Sequence, residues 1–508
     1  MTPIAGVDPR TARPLPAVTE ETAAVDVGAI ARRAEAAGPA LAGLSRARRA
    51  ELLDAVAAAV EHRRADLVGL AAIETGFASA KLDAELTRAA FQFRFFADVI
   101  RDGAYLEATV DHAGDTPMGP RPDLRRMLIP LGPVVVFGAS NFPFAFSVLG
   151  GDTASALAAG CPVVLKAHGS HPGTSQLSFD ILVGVLTGAG LCDAVGLVYG
   201  QRAGAALVAH PAVRAVGFTG SLTGGRALLD IIGRRDDPIP FYGELSSLNP
   251  VIVTPGAATE RAETIGADLV ASFTLGAGQL CTKPGLVLVP DTPDGDRLAA
   301  AMRKQLSDIA PQPLLNERIH RAYRDEVTAV SANPATTTLR GQAVSADGFW
   351  AEALLVETDL AHLTTDLAHE TFGPVTTLVR YDADDPVSAA AALMSVVPAS
   401  LTTTIHHAAD DDDLTAALTA VATPAAGRIV YNGFPTGVAV SWAQHHGGPW
   451  PSTNTVHTSV GATAIRRFLR PLTYQNAPKS LLPSELHDEY TEIPRRVDGV
   501  LMTRGVQS

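Results

Sequence analysis

The sequence predicts an α/β protein whose strands form parallel sheets in two successive blocks. Between residues 134 and 221, short apolar runs alternate with helical text, the pattern of βαβ units. A second alternation starts at LNPVIVTP (248–255) and continues to about residue 440. At 508 residues the chain is also too long for one ordinary core. The break between blocks falls near residue 246.

The elements follow in order. Residues 27–77 repeat alanine, leucine and charge at helical spacing, Gly76 closes that stretch, and 80–102 resume it. The mixed text of 104–130, with Pro117, Pro120 and Pro122, reads as short strands or an excursion. The run Val134–Phe137 suits a strand buried on both faces. A helix over 149–159, the strand PVVLKA (162–167), a helix over 174–189, the strand AVGLVYG (194–200), a helix over 203–209 and AVGFTGS (215–221) complete the first block. GLVLVP, TTLVRY, SLTTTIHH and GRIVYNG supply strands of the second, and a late strand is expected at 467–475. No repeat of 20–50 residues is present.

Composition excludes several classes. With 47% hydrophobic and 18% charged residues the chain is globular, and a formal charge of −13 without a basic cluster argues against a nucleic-acid surface. No apolar run reaches membrane-spanning length, and the N-terminal text has no signal pattern, so no membrane partner is expected. Three scattered cysteines without CxxC spacing suggest a reducing compartment, most simply the cytoplasm. DDDD (410–413) reads as a solvated loop. The pairs His406-His407 and His445-His446 lack the companions of a zinc site, so no metal is expected, and Cys161 and Cys192 read as inert core thiols.

Two stretches invite chemistry. In GAGQLCTKPG (276–285), Cys281 is either a small buried hydrophobe or a nucleophile at a glycine-rich turn, where backbone N–H groups stabilise a thiolate or oxyanion. In GFTGSLTGG (217–225), Gly220, Gly224 and Gly225 let a backbone approach a diphosphate at a helix N-terminus, although glycine-rich turns of this kind are common. Lys166 ends a strand on the side where α/β sheets collect ligands.

The separate pieces fit one family. ASNFPF (139–144), VVLKAH (163–168), GFTGS with Gly225, GELSSLNP (243–250), GQLC (278–281) and HETFGPV (369–375) occur in order, and through them the chain resembles the aldehyde dehydrogenase superfamily from about residue 15 to 478. FYGELSSLNP, GQLCTKPG, NGFPTGVAV, HGGPWPST and TSVGATAIRRFLRPLTYQN resemble the branch of NADP-preferring enzymes acting on α-ketoglutaric semialdehyde (2,5-dioxopentanoate).

The resemblance implies an aldehyde oxidised to a carboxylate, here 2,5-dioxopentanoate to 2-oxoglutarate. Cys281 would be the nucleophile, Asn141 and the Cys281 N–H the oxyanion donors, and Glu244 the base that activates water for the acyl-enzyme. Lys166 would hold the adenosine ribose, Ser221 the diphosphate beside Gly220 and Gly225, and Glu370 the nicotinamide ribose with Phe372 near the ring. Where the family commonly places a glutamate for the ribose hydroxyls, this chain has Gly169. That removes about 1–2 kcal/mol of repulsion against a 2′-phosphate, which His168 and Arg202 would meet. NADP is therefore expected over NAD, without excluding NAD.

Ser140 stands in place of the tryptophan usual before the asparagine, and Ser246-Ser247 in place of two glycines; both belong to the named branch. Arg94, with Arg88 six residues earlier, is the expected partner of a substrate carboxylate, while Phe434, Trp442 and Trp450 match tunnel-lining positions. Aromatics there suit a broad aliphatic or aromatic aldehyde equally well, and a non-catalytic relative is the remaining alternative. A papain-like hydrolase is disfavoured because no histidine has a motif around it. By resemblance the fold is aldehyde dehydrogenase-like, with two doubly wound parallel-sheet domains. An NADP-binding domain would take 1–112 and 131–246, a catalytic domain 247–455, and an oligomerisation arm 113–130 with 456–480, giving a homodimer or homotetramer. Residues 481–508 remain unassigned.

Overall fold

In a computed structural model that describes residues 2–344 and 347–504, two parallel sheets dominate. The first runs, edge to edge, Phe241–Glu244, Ala215–Thr219, Val134–Phe137, Val163–Lys166 and Val195–Val198, every pairing parallel. All four residues of Val134–Phe137 are buried, as an uninterrupted apolar run in a central parallel strand requires. Strand order reverses between Val134–Phe137 and Ala215–Thr219, and that switch opens a crevice at the carboxyl ends of the strands. Phe137, Lys166, Thr219 and Glu244 all end strands on that side.

The N-terminal helical text forms Ala24–Ala42, Arg46–His62, Arg64–Thr75 and Ser79–Asp102. Ser45 caps the second by accepting the Arg48 N–H, and Gly76, at φ +72°, closes the third. Ser79–Asp102 turns Leu82, Leu86, Phe93, Phe96 and Ile100 into the core. Helices Gly151–Ala159, Pro172–Gly188, Gln201–Ala209 and Leu222–Gly233 link the strands of the first sheet.

The second sheet has the order Thr337–Arg340, Leu354–Asp359, Val375–Tyr381, Leu286–Pro290, Val251–Val253, Ser400–His406 and Ala426–Tyr431. Only the edge pairing of Thr337–Arg340 is antiparallel. A small third sheet joins Leu124–Pro130 to Leu469–Gln475 and to Thr109–Asp111. The tail left unassigned by sequence returns to it: Arg495–Val497 pairs in parallel with Thr109–Asp111, and Val500–Met502 closes the edge. Residues 505–508 of that tail lie outside the described residues.

Two sequence expectations need correction. Cys192 is exposed in a short turn, because the apolar strand beside it starts only at Val195, whereas Cys161 is fully buried and burial raises its thiol to about 11. The acidic run is only partly loop. Asp412 and Asp413 occupy the first turn of the helix Asp412–Ala422, where carboxylates oppose the helix dipole, and Asp411 accepts hydrogen bonds from Thr254 and the Ala408 N–H. Among the described residues no helix is long and apolar enough to cross a membrane.

Candidate active site

The thiol hangs on a strained loop. Helix Pro255–Thr274 ends in a turn where Gly276, Ala277 and Gly278 all have positive φ, and Cys281 follows three residues later. A Cβ on Gly278 would lie 2.2 Å from the Gly373 carbonyl oxygen, so that position needs glycine for both conformation and space. Side chains from elsewhere fix the loop. Asn249 Nδ2 donates to the carbonyls of Cys281 (2.8 Å) and Lys283 (3.0 Å), and the Gln279 carboxamide is buried, its oxygen accepting the Leu315 N–H at 2.9 Å. Lys283 is buried as well, and its Nζ donates to the carbonyls of Thr371 (2.9 Å) and Val375 (2.8 Å). The lysine therefore ties the Cys281 loop to the segment that carries Glu370 and Phe372. Sequence reasoning assigned no role to Asn249 or Lys283, although both stand inside the quoted strings.

Glu244 ends the outermost strand of the first sheet and meets the thiol from the other side. Its carboxylate is 2.9 Å from His446 Nε2 and accepts the Ser459 hydroxyl at 2.7 Å. The same His446 Nε2 lies 3.5 Å from Cys281 Sγ. One ligating atom each from Glu244, Cys281 and His446 falls within 4.8 Å of the others. Burial pushes the Glu244 carboxyl up, but His446 and the hydrogen bonds from His446 and Ser459 outweigh it and leave the pKa below its ordinary value. The Cys281 thiol moves the other way: burial and the neighbouring Glu244 charge raise it well above its usual range. A protonated thiol thus faces an ionised carboxylate that can receive its proton, with His446 Nε2 in contact with both. His446 was set aside in the sequence for want of a motif. Its partners are 202 and 165 residues away along the chain, and the one local signal was its place at the head of the quoted string HGGPWPST.

Asn141 is buried beside this group, and its Nδ2 donates one N–H to the Gln279 carbonyl at 2.7 Å. An amide nitrogen carries two hydrogens, so a second donor remains. A cleft of about 490 Å³, of a size suited to small ligands, opens next to the loop. Lys81, Glu85, Arg88, Phe91, Phe142 and Leu280 are among the residues lining it, with Thr436–Val440 along one side.

The predicted cofactor residues gather at the carboxyl ends of the first sheet. Ser221 caps the helix Leu222–Gly233 by accepting the Gly224 N–H at 3.2 Å, and Gly220 N–H donates to the Glu244 carbonyl at 3.0 Å. A Cβ on Gly225 would stand 2.4 Å from Leu245 Cδ2, so this glycine lets the helix pack closely on the next loop. Lys166 is half-buried, and burial lowers its pKa against the opposing pull of Glu21. His168, also half-buried, accepts the Ser170 N–H and is held well below its usual pKa by burial, with His171 and Lys166 adding to the effect. At Gly169 a Cβ would meet nothing within 4 Å, which leaves the space a glutamate would fill. Arg202 is exposed and pairs with Glu21, its Nη2 2.5 Å from the carboxylate, a partner not anticipated from sequence. Burial raises Glu370 against the opposing charge of Lys283, with Ser246 and the Ser247 N–H close enough to lower it as well. The two serines that depart from the family pattern thus lie beside this acid, and Phe372 packs partly buried against the main core.

The expected substrate residues are placed differently. Arg94 does not line the cleft; its two terminal nitrogens bond both Glu61 oxygens at 2.7 and 2.6 Å. Six residues at about 100° each rotate Arg94 roughly 240° from Arg88, and it is Arg88 that faces the cleft. Trp442 is 55% exposed and packs edge-on against Phe95 at 5.6 Å, and Phe434 packs on His406 at 4.9 Å. Trp450 is exposed, 5.6 Å below the Arg226 guanidinium. None of these three aromatics lines the cleft; the segment between Phe434 and Trp442 does.

Comparison with known proteins identifies the relatives of this chain. The sequence profile described as "Aldehyde dehydrogenase family" matches residues 2–470. Alpha-ketoglutaric semialdehyde dehydrogenase 2 of Azospirillum brasilense is 43% identical over 89% of this chain and 87% of its own, and alpha-ketoglutaric semialdehyde dehydrogenase of Acinetobacter baylyi is 40% identical over the same shares. Among solved structures, 1-pyrroline-5-carboxylate dehydrogenase from Thermus, with bound NAD, superposes with a TM-score of 0.80 at 19% identity, covering 93% of this chain and 89% of that one. At that identity the likeness speaks for the fold.

Proposed function

The chain belongs to the aldehyde dehydrogenase family, and from that premise we propose that it oxidises 2,5-dioxopentanoate to 2-oxoglutarate with NADP preferred over NAD. The observation that carries the chemistry is the contact group of Cys281, Glu244 and His446, with an amide donor of Asn141 close by. The substrate comes from the two semialdehyde dehydrogenases at 43% and 40% identity.

In this reading the thiol proton passes to Glu244 while sulfur adds to the aldehyde carbon. The carbonyl π electrons move to oxygen, and that oxyanion is received by the free N–H of Asn141 and the Cys281 main-chain N–H. When bound, the oxidised nicotinamide supplies the acceptor for the hydride that leaves as the C=O bond re-forms. The thioester left on Cys281 is then opened by water, whose proton Glu244 takes once it has released the first to solvent. The C–S bond breaks and sulfur departs with its electron pair. His446 and Ser459 act as positioning residues that hold Glu244 ionised at the reaction centre. The reading of an NADP preference is supported by the open space at Gly169, with Lys166 and His168 just before it in the chain and Arg202 an exposed cation at the start of the helix after the neighbouring strand. Initial rates at 340 nm with 2,5-dioxopentanoate and hexanal, each with NADP and NAD, test the reading. A higher kcat/KM for the oxo acid with NADP is expected, and equal values for both aldehydes or both cofactors refute the corresponding part.

A further inference from the structure

We infer that Arg88 is the subsite for the far carboxylate of an anionic aldehyde, and so decides which aldehydes the cleft accepts; this rests on the reaction proposed above. Three cationic or anionic side chains line the cleft: Lys81, Glu85 and Arg88. Two of them are committed to each other. Lys81 Nζ is 3.2 Å from Glu85 Oε2 and 3.8 Å from the Phe77 ring centroid, and Glu85 Oε1 accepts the N–H groups of Phe144 and Ala145. Arg88 is different. Its Nη1 donates to the Val438 carbonyl, but among the described residues Nε and Nη2 have no hydrogen-bond partner, and no carboxylate lies within ion-pair distance. Those two nitrogens form one edge of the guanidinium, the edge that takes both oxygens of a carboxylate in parallel.

An arginine so placed keeps its charge in a sheltered site without a counter-ion. Burial lowers its pKa, and the carboxylates whose charge offsets this are Glu85 and Glu244. The charge is therefore felt at the reaction centre, and the cleft that Arg88 lines also takes in Leu280, the residue before Cys281. Phe146 supplies a ring 5.5 Å from the guanidinium carbon, and Phe142 and Phe91 give the cleft apolar walls that suit a methylene chain between two polar ends. Arg428, the other cation whose field reaches Cys281, has two guanidinium nitrogens bound to the carbonyls of Pro435 and Gly437 and serves to hold that loop. In the unliganded cleft Arg88 Nε and Nη2 are covered, so engagement needs a small swing of the guanidinium away from Val438.

The test compares wild type with Arg88→Met and Arg88→Lys on 2,5-dioxopentanoate and on pentanal, a neutral aldehyde of equal length. Glutarate serves as a competitive probe of the subsite. A lost charge-assisted, two-point contact predicts that Arg88→Met raises KM for the oxo acid about 10- to 100-fold. Any change in kcat is common to both aldehydes, KM for pentanal rises far less than KM for the oxo acid, glutarate inhibition is lost, and Arg88→Lys recovers part of the affinity. Melting curves confirm that the variants fold. If KM for both aldehydes rises by one common factor, or the oxo acid is indifferent to Arg88→Met, the assignment of Arg88 is overturned while the oxidation of oxo acids stands. If wild type itself prefers pentanal, the substrate reading fails first, and the carboxylate subsite falls with it.

Discussion

Replacing Ser459 with alanine isolates the electrostatics of the base. The Ser459 hydroxyl donates to Glu244 Oε2 at 2.7 Å, the carboxylate is 3% exposed, and the other oxygen keeps its contact with His446. Hydrogen bonds to charged groups contribute about 1.5–3 kcal/mol, and one pKa unit corresponds to about 1.4 kcal/mol. Glu244 sits below its ordinary pKa because its partners offset burial. Deleting the Ser459 bond weakens that offset, although His446 remains, and raises the pKa by about 1–2 units. Deacylation needs the ionised form, so activity that wild type keeps on acidification is lost at higher pH in the variant. The acid limb of the kcat profile, and of acyl-enzyme hydrolysis after a single turnover, should move upward by that amount with the alkaline plateau retained. A depressed plateau with an unmoved limb would mean that Ser459 only shapes the loop and does not tune Glu244.

The remaining expectations are simpler. Asn141→Ala removes one oxyanion donor and should lower kcat about 10²- to 10³-fold with little change in KM, read from initial rates. Arg202→Ala should raise KM for NADP and leave that for NAD unchanged, whereas Glu21→Gln, which frees Arg202 from its carboxylate partner, should improve NADP use several-fold in the same assay. Gly278→Ala places a methyl group against the Gly373 carbonyl at a positive φ of 65°. It should destabilise the protein by at least about 2 kcal/mol in denaturant titration and displace the segment bearing Glu370.

What the sequence revealed follows the range of each interaction. The strands Val134–Phe137 and Val163–Lys166 were legible because a buried parallel strand is written as one contiguous apolar run. Cys281, Glu244 and Asn141 were legible through strings quoted whole. His446 and Ser459 also stand in quoted strings, HGGPWPST and TSVGATAIRRFLRPLTYQN, but those strings give them no role, which comes from contacts made 202 and 215 residues away. Arg94 was favoured over Arg88 although helical rotation separates their faces, and only the packed helix showed which side meets the cleft. The parallel pairing of Arg495–Val497 with Thr109–Asp111 is likewise a tertiary event, made by short, polar text with no strand pattern of its own.

The central claim is that a thioester forms on residue 281 and is hydrolysed by the carboxylate beside it. Mixing a Glu244→Gln variant with NADP and 2,5-dioxopentanoate, then quenching and mapping peptides by mass spectrometry, reads that claim directly. One equivalent of NADPH per chain, formed more slowly than in wild type because the thiol has lost its proton acceptor, with the acyl group on the peptide containing Cys281, is the predicted result. An adduct on another residue, or steady turnover with no trapped acyl group, would contradict it.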